Sequence, residues 1–195
     1  RGMPKEKLIP LGIPVSEVCR REISKESARE ELGLSNDKKY ILAAGGSMGA
    51  GDMKKMVESL LKSTDDEELI VICGSNKKVE KQLKKAFGKE ERAHILGYTK
   101  QMNLYMRACD VLFTKPGGLT STEAAVIGIP IVHTEPIPGC ETANRKFFVK
   151  YGMSLSGRTV RGQVQAGLRI LRDENEAERI VENQRRIINK TAADD

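Results

Sequence analysis

Residues 40–51, Tyr-Ile-Leu-Ala-Ala-Gly-Gly-Ser-Met-Gly-Ala-Gly, decide the fold of this chain. The apolar run 40–44 predicts a buried β-strand, and the glycines that follow predict a tight turn into a helix over residues 53–62. Glycine lets the backbone approach a phosphate closely, and the start of a helix offers free N–H groups. Ser47 adds a hydroxyl that can donate a hydrogen bond, so this turn is a candidate phosphate site.

The turn does not carry an established nucleotide-binding motif. Its glycine spacing is not G-x-G-x-x-G, and no lysine occupies the position that a P-loop requires. Cys-Gly-Ser at 73–75 follows the next predicted strand, where a dinucleotide-binding fold places an acidic residue for the ribose. Two interpretations stay open: a phosphate-binding turn, or a strand-to-helix turn that needs glycine only for its shape.

The same alternation of apolar runs and amphipathic segments continues along the chain. The predicted strands are 40–44, 69–73, 93–96, 111–114 and 130–133, and the predicted helices are 25–32, 53–62, 77–87, 101–108, 120–128, 141–151 and one or two within 160–189. Strands that alternate with helices predict an α/β fold, a Rossmann-like doubly wound parallel sheet with helices on both faces. Such sheets bind ligands at the carboxyl ends of their strands.

The length of 195 residues predicts a single domain. Residues 1–15 are interpreted as an interdomain linker with a first strand at 8–15, and residues 173–195 as a carboxyl-terminal helix. The chain opens at Arg1 without an initiator methionine, so we expect that it was cut from a longer polypeptide.

The net charge of +6 favours polyanionic partners such as nucleotides or an anionic membrane surface. Nucleic acid is not expected, because Trp is absent and aromatic residues make up only 4% of the chain. The four cysteines are far apart, which is typical of reduced thiols in a cytoplasmic protein. With only two histidines, the sequence shows no metal-ligand spacing, and neither a metal nor a cofactor is expected.

A second glycine turn opens a helix at residues 115–124, Lys-Pro-Gly-Gly-Leu-Thr-Ser-Thr-Glu-Ala. Glu123 is predicted to lie within the first turn of that helix, where the helix dipole stabilises a carboxylate. A carboxylate there can accept hydrogen bonds from two ribose hydroxyls. The alternative is a capping box, with Thr120 as the N-cap and Glu123 three residues later.

A third polar loop, Pro-Ile-Pro-Gly-Cys-Glu-Thr-Ala-Asn at 136–144, follows the strand at 130–133. Glu141 and Asn144 are spaced by about one helical turn, so they share a face of the predicted helix. Together they can recognise sugar hydroxyls. The alternative is an ordinary loop whose polar residues cap a helix. His133, at the end of the same strand, is interpreted as a core or rim residue rather than as a base.

These three segments resemble the carboxyl-terminal domain of glycosyltransferase family 28. That family includes bacterial diacylglycerol glucosyltransferases, plant monogalactosyldiacylglycerol synthases and the N-acetylglucosaminyltransferase that forms the peptidoglycan lipid intermediate. The resemblance extends from about residue 8 to residue 171, and the second and third segments are most similar to the glycolipid-forming members. It implies one half of a GT-B fold, the half that binds a nucleoside-diphosphate sugar, usually a UDP-sugar.

The resemblance also implies roles for individual residues. The residues expected to contact the diphosphate are Gly46 and Ser47 and, through their main chains, Gly118, Leu119 and Thr120. Glu123 would hold the ribose hydroxyls and Glu141 would face the donor sugar, with Asn144 supporting that loop. The turn at 97–99, including Tyr98, would cradle the base together with Met102.

One residue departs from the family pattern. Cys140 stands where the glycolipid synthases usually have glutamine, and a thiol cannot replace the paired donor and acceptor of an amide. This departure leaves open which sugar the site accepts and whether activity is preserved.

The function that the resemblance implies is transfer of a hexose from a UDP-sugar to an acceptor hydroxyl, with a lipid such as diacylglycerol as the acceptor. The catalytic base and the acceptor pocket are expected in an amino-terminal half, so this chain alone is expected to bind donor without turnover. A cytoplasmic protein, peripheral on the inner face of the plasma membrane, fits this role. The alternatives are a stand-alone UDP-sugar-binding subunit completed by a membrane partner, and half of a UDP-sugar epimerase.

Overall fold

A computed structural model of the chain describes residues 11–45 and 53–192. Its centre is a six-stranded parallel sheet in the order β3-β2-β1-β4-β5-β6. The strands are β1 (Tyr40–Ala44), β2 (Glu68–Ile72), β3 (Ala93–Leu96), β4 (Val111–Thr114), β5 (Ile131–His133) and β6 (Leu155–Ser156). The predicted doubly wound parallel sheet is confirmed.

Helices cover both faces of this sheet. In the described residues they are α1 (Glu17–Arg20), α2 (Lys25–Leu32), α3 (Met53–Ser63), α4 (Lys77–Phe87), α5 (Met102–Ala108), α6 (Gly118–Ile127), α7 (Cys140–Lys150), α8 (Val160–Arg172) and α9 (Glu174–Ile187). The predicted break near Asp173 separates α8 from α9, and the Asp173 side chain caps α9 by accepting from the N–H of Glu176.

Strand β1 lies at the middle of the core, and all five of its residues are buried. Ile41 and Ala43 pack into the hydrophobic cluster on one face of the sheet, with residues of α3, α4 and α8. Tyr40, Leu42 and Ala44 pack into the cluster on the other face, with residues of α5, α6 and α7. Successive side chains of a strand point to opposite faces, so a strand buried on both faces has the continuous apolar run seen in the sequence.

The strand order reverses direction between β1 and β4. Ile41 pairs with Leu69 of β2 on one side and with Val111 of β4 on the other. The connection after β1 therefore runs to one side of the sheet and the connection after β4 to the other. A crevice opens at the carboxyl ends of these two strands, which is the usual ligand position in sheets of this kind.

The amino-terminal segment differs from its prediction. A strand was expected at residues 8–15, but residues 11–15 form none, and residues 1–10 lie outside the described part of the chain. The peptide oxygen of Leu11 instead accepts a hydrogen bond from Asn189, and Ile13 lies beside Gly118 at the start of α6. Pro14 cannot donate a hydrogen bond to a sheet, and Gly12 has a φ of 104°, so the segment does not continue as a strand.

A glycine in α8 sets how closely this helix approaches the sheet. A β-carbon at Gly167 would lie 2.7 Å from Cε2 of Phe113 and closer still to its Cζ, and Phe113 is buried in β4. Gly162, on the same helix, has only ordinary contacts at 3.5 Å to Gly157 and Thr159. The two glycines therefore form a matched pair for substitution by alanine.

We expect Gly167→Ala to lower the free energy of unfolding by about 1–3 kcal/mol, because an added methyl group overpacks a dense core. Gly162→Ala should leave stability unchanged or raise it by up to about 1 kcal/mol, because alanine favours a helix over glycine. Urea unfolding of both variants measures this difference. Equal stability of the two variants would contradict the close approach of α8 to β4.

Candidate functional site

A cavity of about 260 Å³ opens at the carboxyl ends of β1, β2 and β4. Its lining comes from four separate stretches of the chain and includes Gly74, Ser75, Tyr98, Met102, Lys115 and Thr120. Three of these residues, Tyr98, Met102 and Thr120, were named from the sequence as binding residues. The fold brings them together at one wall of the crevice, although the order of the sequence separates them.

Helix α6 begins at this cavity with free backbone donors. Its first internal hydrogen bond joins the N–H of Ser121 to the carbonyl of Gly117 at 3.0 Å. The N–H groups of Gly118, Leu119 and Thr120 precede that bond, so the helix itself provides no acceptor for them. The Leu119 side chain is 65% exposed, which fits a residue that offers its main chain. These donors and the helix dipole make the start of α6 able to hold an anion.

The predicted capping box at Thr120 and Glu123 is wrong. The N-cap of α6 is Gly117, and the helix begins at Gly118 rather than at Thr120. Because Gly117 has an extended backbone directly after Pro116, the helical hydrogen bonds start three residues earlier than the capping pattern suggests. Glu123 is consequently in the second turn of α6, outside the first turn where the dipole would stabilise it.

Glu123 lies one helical turn beyond Thr120, on the same side of α6. It is half-buried, and this burial raises the pKa of its carboxyl group above the ordinary value. A carboxylate with little solvation gains more from ligand hydroxyl groups than an exposed carboxylate does. Glu123 is not among the residues that line the cavity, so its contact with a ribose stays a prediction.

Lys115 is a residue of the site to which sequence analysis gave no role. Its Nζ lies 2.6 Å from Oε1 of Glu141, and both side chains are largely buried. The other oxygen of Glu141 accepts from the N–H of Ile137 at 2.8 Å. Burial raises the pKa of Glu141, but the hydrogen bonds from Lys115 and Ile137 and the charge of Lys115 outweigh it, so the pKa lies below its ordinary value.

Asn144 makes a second link between the same two loops. Its Nδ2 donates to the carbonyl of Pro116 at 3.0 Å. Glu141 and Asn144 therefore share a face of α7, as predicted, and that face is turned toward the loop between β4 and α6. The expected contact of Glu141 with a donor sugar stays a prediction, since both of its oxygens already accept hydrogen bonds from this chain. Cys140 is exposed beside them at the first position of α7.

Two predicted contacts, Gly46 and Ser47, lie outside the described residues. Gly45, the last described residue before them, follows β1 and donates its N–H to the carbonyl of Ile72. Gly45 therefore lies at the carboxyl end of β1, beside the end of β2.

His133 is a core residue, in agreement with the sequence interpretation. It is fully buried, and its ring nitrogens lie 3.0 Å from the hydroxyls of Ser121 and Ser154. Burial, reinforced by the charge of Arg145, lowers the pKa of His133 to about 4. The ring is therefore neutral at pH 7 and joins α6 to the strands at the edge of the sheet.

The described residues contain neither a metal-binding cluster nor a membrane-spanning helix. No group of three or more His, Cys, Asp or Glu side chains is placed to hold a metal ion. None of the helices within residues 11–45 and 53–192 combines the length and the apolar character needed to cross a bilayer.

Comparison with protein families decides the affiliation of the chain. The family model described as "Glycosyl transferases group 1" matches residues 24–187, which is most of the sequence. This chain belongs to that family. The match runs from the N-cap of α2 to the end of α9 and so includes every element that forms the cavity.

The most informative relative in sequence is a processive diacylglycerol beta-glucosyltransferase of Staphylococcus saprophyticus. It is 33% identical over 165 residues, which cover 84% of this chain and 42% of the relative. The resemblance to the diacylglycerol glucosyltransferases, drawn from the three loop segments, is confirmed. The chain spans less than half the length of the relatives that it matches.

Solved structures share the fold at lower sequence identity. WaaG, a glycosyltransferase involved in lipopolysaccharide biosynthesis, has a TM-score of 0.73 and 16% identity, over 94% of this chain and 53% of that one. A UDP-N-acetylglucosamine 2-epimerase has a TM-score of 0.64 and 16% identity, over 90% of this chain and 45% of that one. The fold is therefore one half of a GT-B architecture, and both kinds of enzyme use it.

The buried His133 makes stability depend on pH. The unfolded state takes up a proton near pH 6.5, whereas the folded state resists it until about pH 4. The contribution of His133 to the free energy of unfolding is therefore complete above pH 6.5 and is lost as the pH falls toward 4. We expect a loss of about 2 kcal/mol in the free energy of unfolding between pH 7 and pH 5 from this group.

Denaturant unfolding from pH 7.5 to pH 5 measures this loss. In His133→Gln, the free energy of unfolding should no longer show this part of its dependence on pH. Imidazole NMR provides a second measurement that does not require the variant to fold. His94→Gln assigns the remaining signal to His133, because the chain has only two histidines. A His133 signal that titrates near pH 6.5 would contradict a neutral, buried ring.

Proposed function

We propose that this chain is the donor-binding half of a glycosyltransferase that moves a hexose from a UDP-sugar to a hydroxyl of a lipid such as diacylglycerol. The observation that carries the proposal is the cavity between β1 and β4. It combines an anion-binding helix start, a lysine and the exposed Tyr98 within a single crevice. A nucleoside diphosphate offers the matching groups, namely a flat base and a run of anionic oxygens.

In the proposed reaction, the diphosphate leaving group is the part that most needs stabilisation. The bond between the sugar and the diphosphate breaks, and the diphosphate departs with the electron pair. The acceptor oxygen then bonds to the sugar carbon and gives its proton to a base. Donors that are already oriented toward the diphosphate stabilise its growing charge, and the first N–H groups of α6 have this arrangement.

The acceptor and the base are proposed to belong to the rest of the longer protein. The matched relative is named for diacylglycerol as its acceptor, and this chain corresponds to 42% of that relative. A lipid acceptor fits a protein that works at the inner face of a membrane, and the net charge of +6 would favour an anionic surface. We propose that the donor is a substrate and that no separate cofactor is needed.

The epimerase alternative is less well supported. It shares the fold, but an epimerase needs acid and base groups beside the donor sugar. Glu141 and His133 are titratable residues to consider for those roles near the ends of β4 and β5. Both oxygens of Glu141 accept hydrogen bonds within the chain, and His133 is fully buried and neutral. Curated relatives that match this chain at 30% identity or more are named as glucosyltransferases.

Calorimetric titration of the 195-residue chain tests the proposal directly. UDP, UDP-glucose, UDP-galactose, UDP-N-acetylglucosamine and NAD are the ligands. We expect the uridine nucleotides to bind and NAD not to bind, because no acidic residue follows β2 to hold an NAD ribose. A folded chain that binds NAD alone, or that binds none of these ligands, would contradict the proposed donor site.

A second test asks whether Glu123 holds the ribose. The affinities of UDP and of 2′-deoxyuridine diphosphate are compared in the wild type and in Glu123→Gln. We expect the wild type to prefer UDP about tenfold or more, since a hydrogen bond to a charged group is lost with the hydroxyl. The preference should disappear in Glu123→Gln and persist in Glu30→Gln, an exposed control on α2. A preference that survives in Glu123→Gln would exclude the ribose contact.

A further inference from the structure

The ion pair between Lys115 and Glu141 is incomplete on one side. Glu141 uses both oxygens, one toward Lys115 and one toward the N–H of Ile137. Lys115 carries three N–H donors, and Glu141 is its one hydrogen-bond partner among residues 11–45 and 53–192. The side chains of Lys115 and Glu141 are only 18% and 10% exposed.

Such an arrangement is unfavourable as a purely structural contact. Removing two charges from water costs several kcal/mol for each ion, and the cost is recovered only when the remaining donors and acceptors are satisfied. Here both oxygens of the carboxylate have partners within the chain, whereas the ammonium directs one of its three donors at Glu141. A ligand with anionic oxygens would complete the hydrogen bonds of Lys115.

The position of Lys115 identifies where this ligand would lie. Lys115 lines the same cavity as Tyr98, Met102 and Thr120, and it precedes by three residues the free N–H groups at the start of α6. Two kinds of positive potential therefore meet on one loop, an ammonium group and a helix amino terminus. Tyr98 and Met102 come from the turn after β3 and the start of α5, so an aromatic ring and a thioether border the remaining wall of the cavity.

The loop is also held in place independently of any ligand. Asn144 donates to the carbonyl of Pro116, and Glu141, on the same face of α7, pairs with the ammonium of Lys115. The left-handed backbone of Gly139, with φ of 111°, turns the chain into α7 just before Glu141. The charge of Lys115 is therefore oriented before a ligand arrives, which lowers the cost of binding.

We propose that Lys115 binds the diphosphate of the donor and that Glu141 is a positioning residue that aims the ammonium at it. This inference rests on the proposed function and gives Glu141 a role different from contact with the donor sugar. The two residues act through charge and orientation, so no bond to either of them forms or breaks. The phosphates, rather than the base or the ribose, are the part of the ligand that they recognise.

The test separates the phosphates from the nucleoside. Binding of uridine, UMP and UDP is measured by NMR titration for the wild type and for Lys115→Met, Lys115→Arg and Glu141→Gln. Lys146→Met, an exposed lysine on α7, is the matched control. Thermal unfolding of each variant shows that it is folded.

We expect Lys115→Met to bind UDP about ten- to a hundredfold more weakly and uridine with unchanged affinity, because only a charge-assisted contact to phosphate is lost. Lys115→Arg should recover most of the UDP affinity. Glu141→Gln should lower the affinity for UDP by a smaller factor, again without an effect on the affinity for uridine. Lys146→Met should bind all three ligands as the wild type does.

Each other outcome overturns a different statement. If Lys115→Met is less stable but binds UDP with unchanged affinity, the ion pair serves only to join the two loops, and the inference about Lys115 is wrong. The proposed donor site would not be affected by this result. Equal loss of uridine and UDP affinity would place Lys115 at the nucleoside and would also overturn the inference. A wild type that binds none of the three ligands would overturn the proposed function, and the diphosphate site with it.

Discussion

The structure depends on the burial of β1 on both faces. Its apolar residues Tyr40–Ala44 can be covered only if helices pack above and below, and its backbone groups are satisfied only if strands pair on both edges. The chain meets both requirements by placing β2 on one side and β4 on the other. The connections after β1 and β4 then diverge, and the crevice at their carboxyl ends follows from this divergence.

Polar contacts link the loops that border this crevice. The loops after β4 and β5 are joined by the Lys115–Glu141 pair and by the hydrogen bond from Asn144 to Pro116, while the hydroxyls around His133 hold α6 against the sheet. Tyr98 and Leu119, which the sequence predicted as ligand contacts, are exposed. The chain thus separates the groups that support the site from the groups that are available for recognition.

Sequence reasoning succeeded where a pattern is local. The bounds of α2, β1, α4, β3 and β4 agree with their predicted ranges, because each is a run of one periodicity ended by glycine or a polar cap. It failed at α6, where Thr120 and Glu123 matched a capping box but Gly117 is the N-cap of the helix. It also missed Lys115, whose partner lies 26 positions away and follows a different strand. No spacing rule within one segment could identify that pair.

The sequence by itself determined the class of fold, the segments that reach the carboxyl edge of the sheet and the family to which they point. These properties depend on hydrophobic periodicity and on short glycine and proline motifs, which are encoded over a few consecutive residues. Only the tertiary structure decided which side chains share the cavity, that Glu123 and His133 are partly or fully withdrawn from water, and that Glu141 faces a lysine. Charge pairing and desolvation depend on distances between residues that are remote in the chain, and those distances exist only once the sheet has formed.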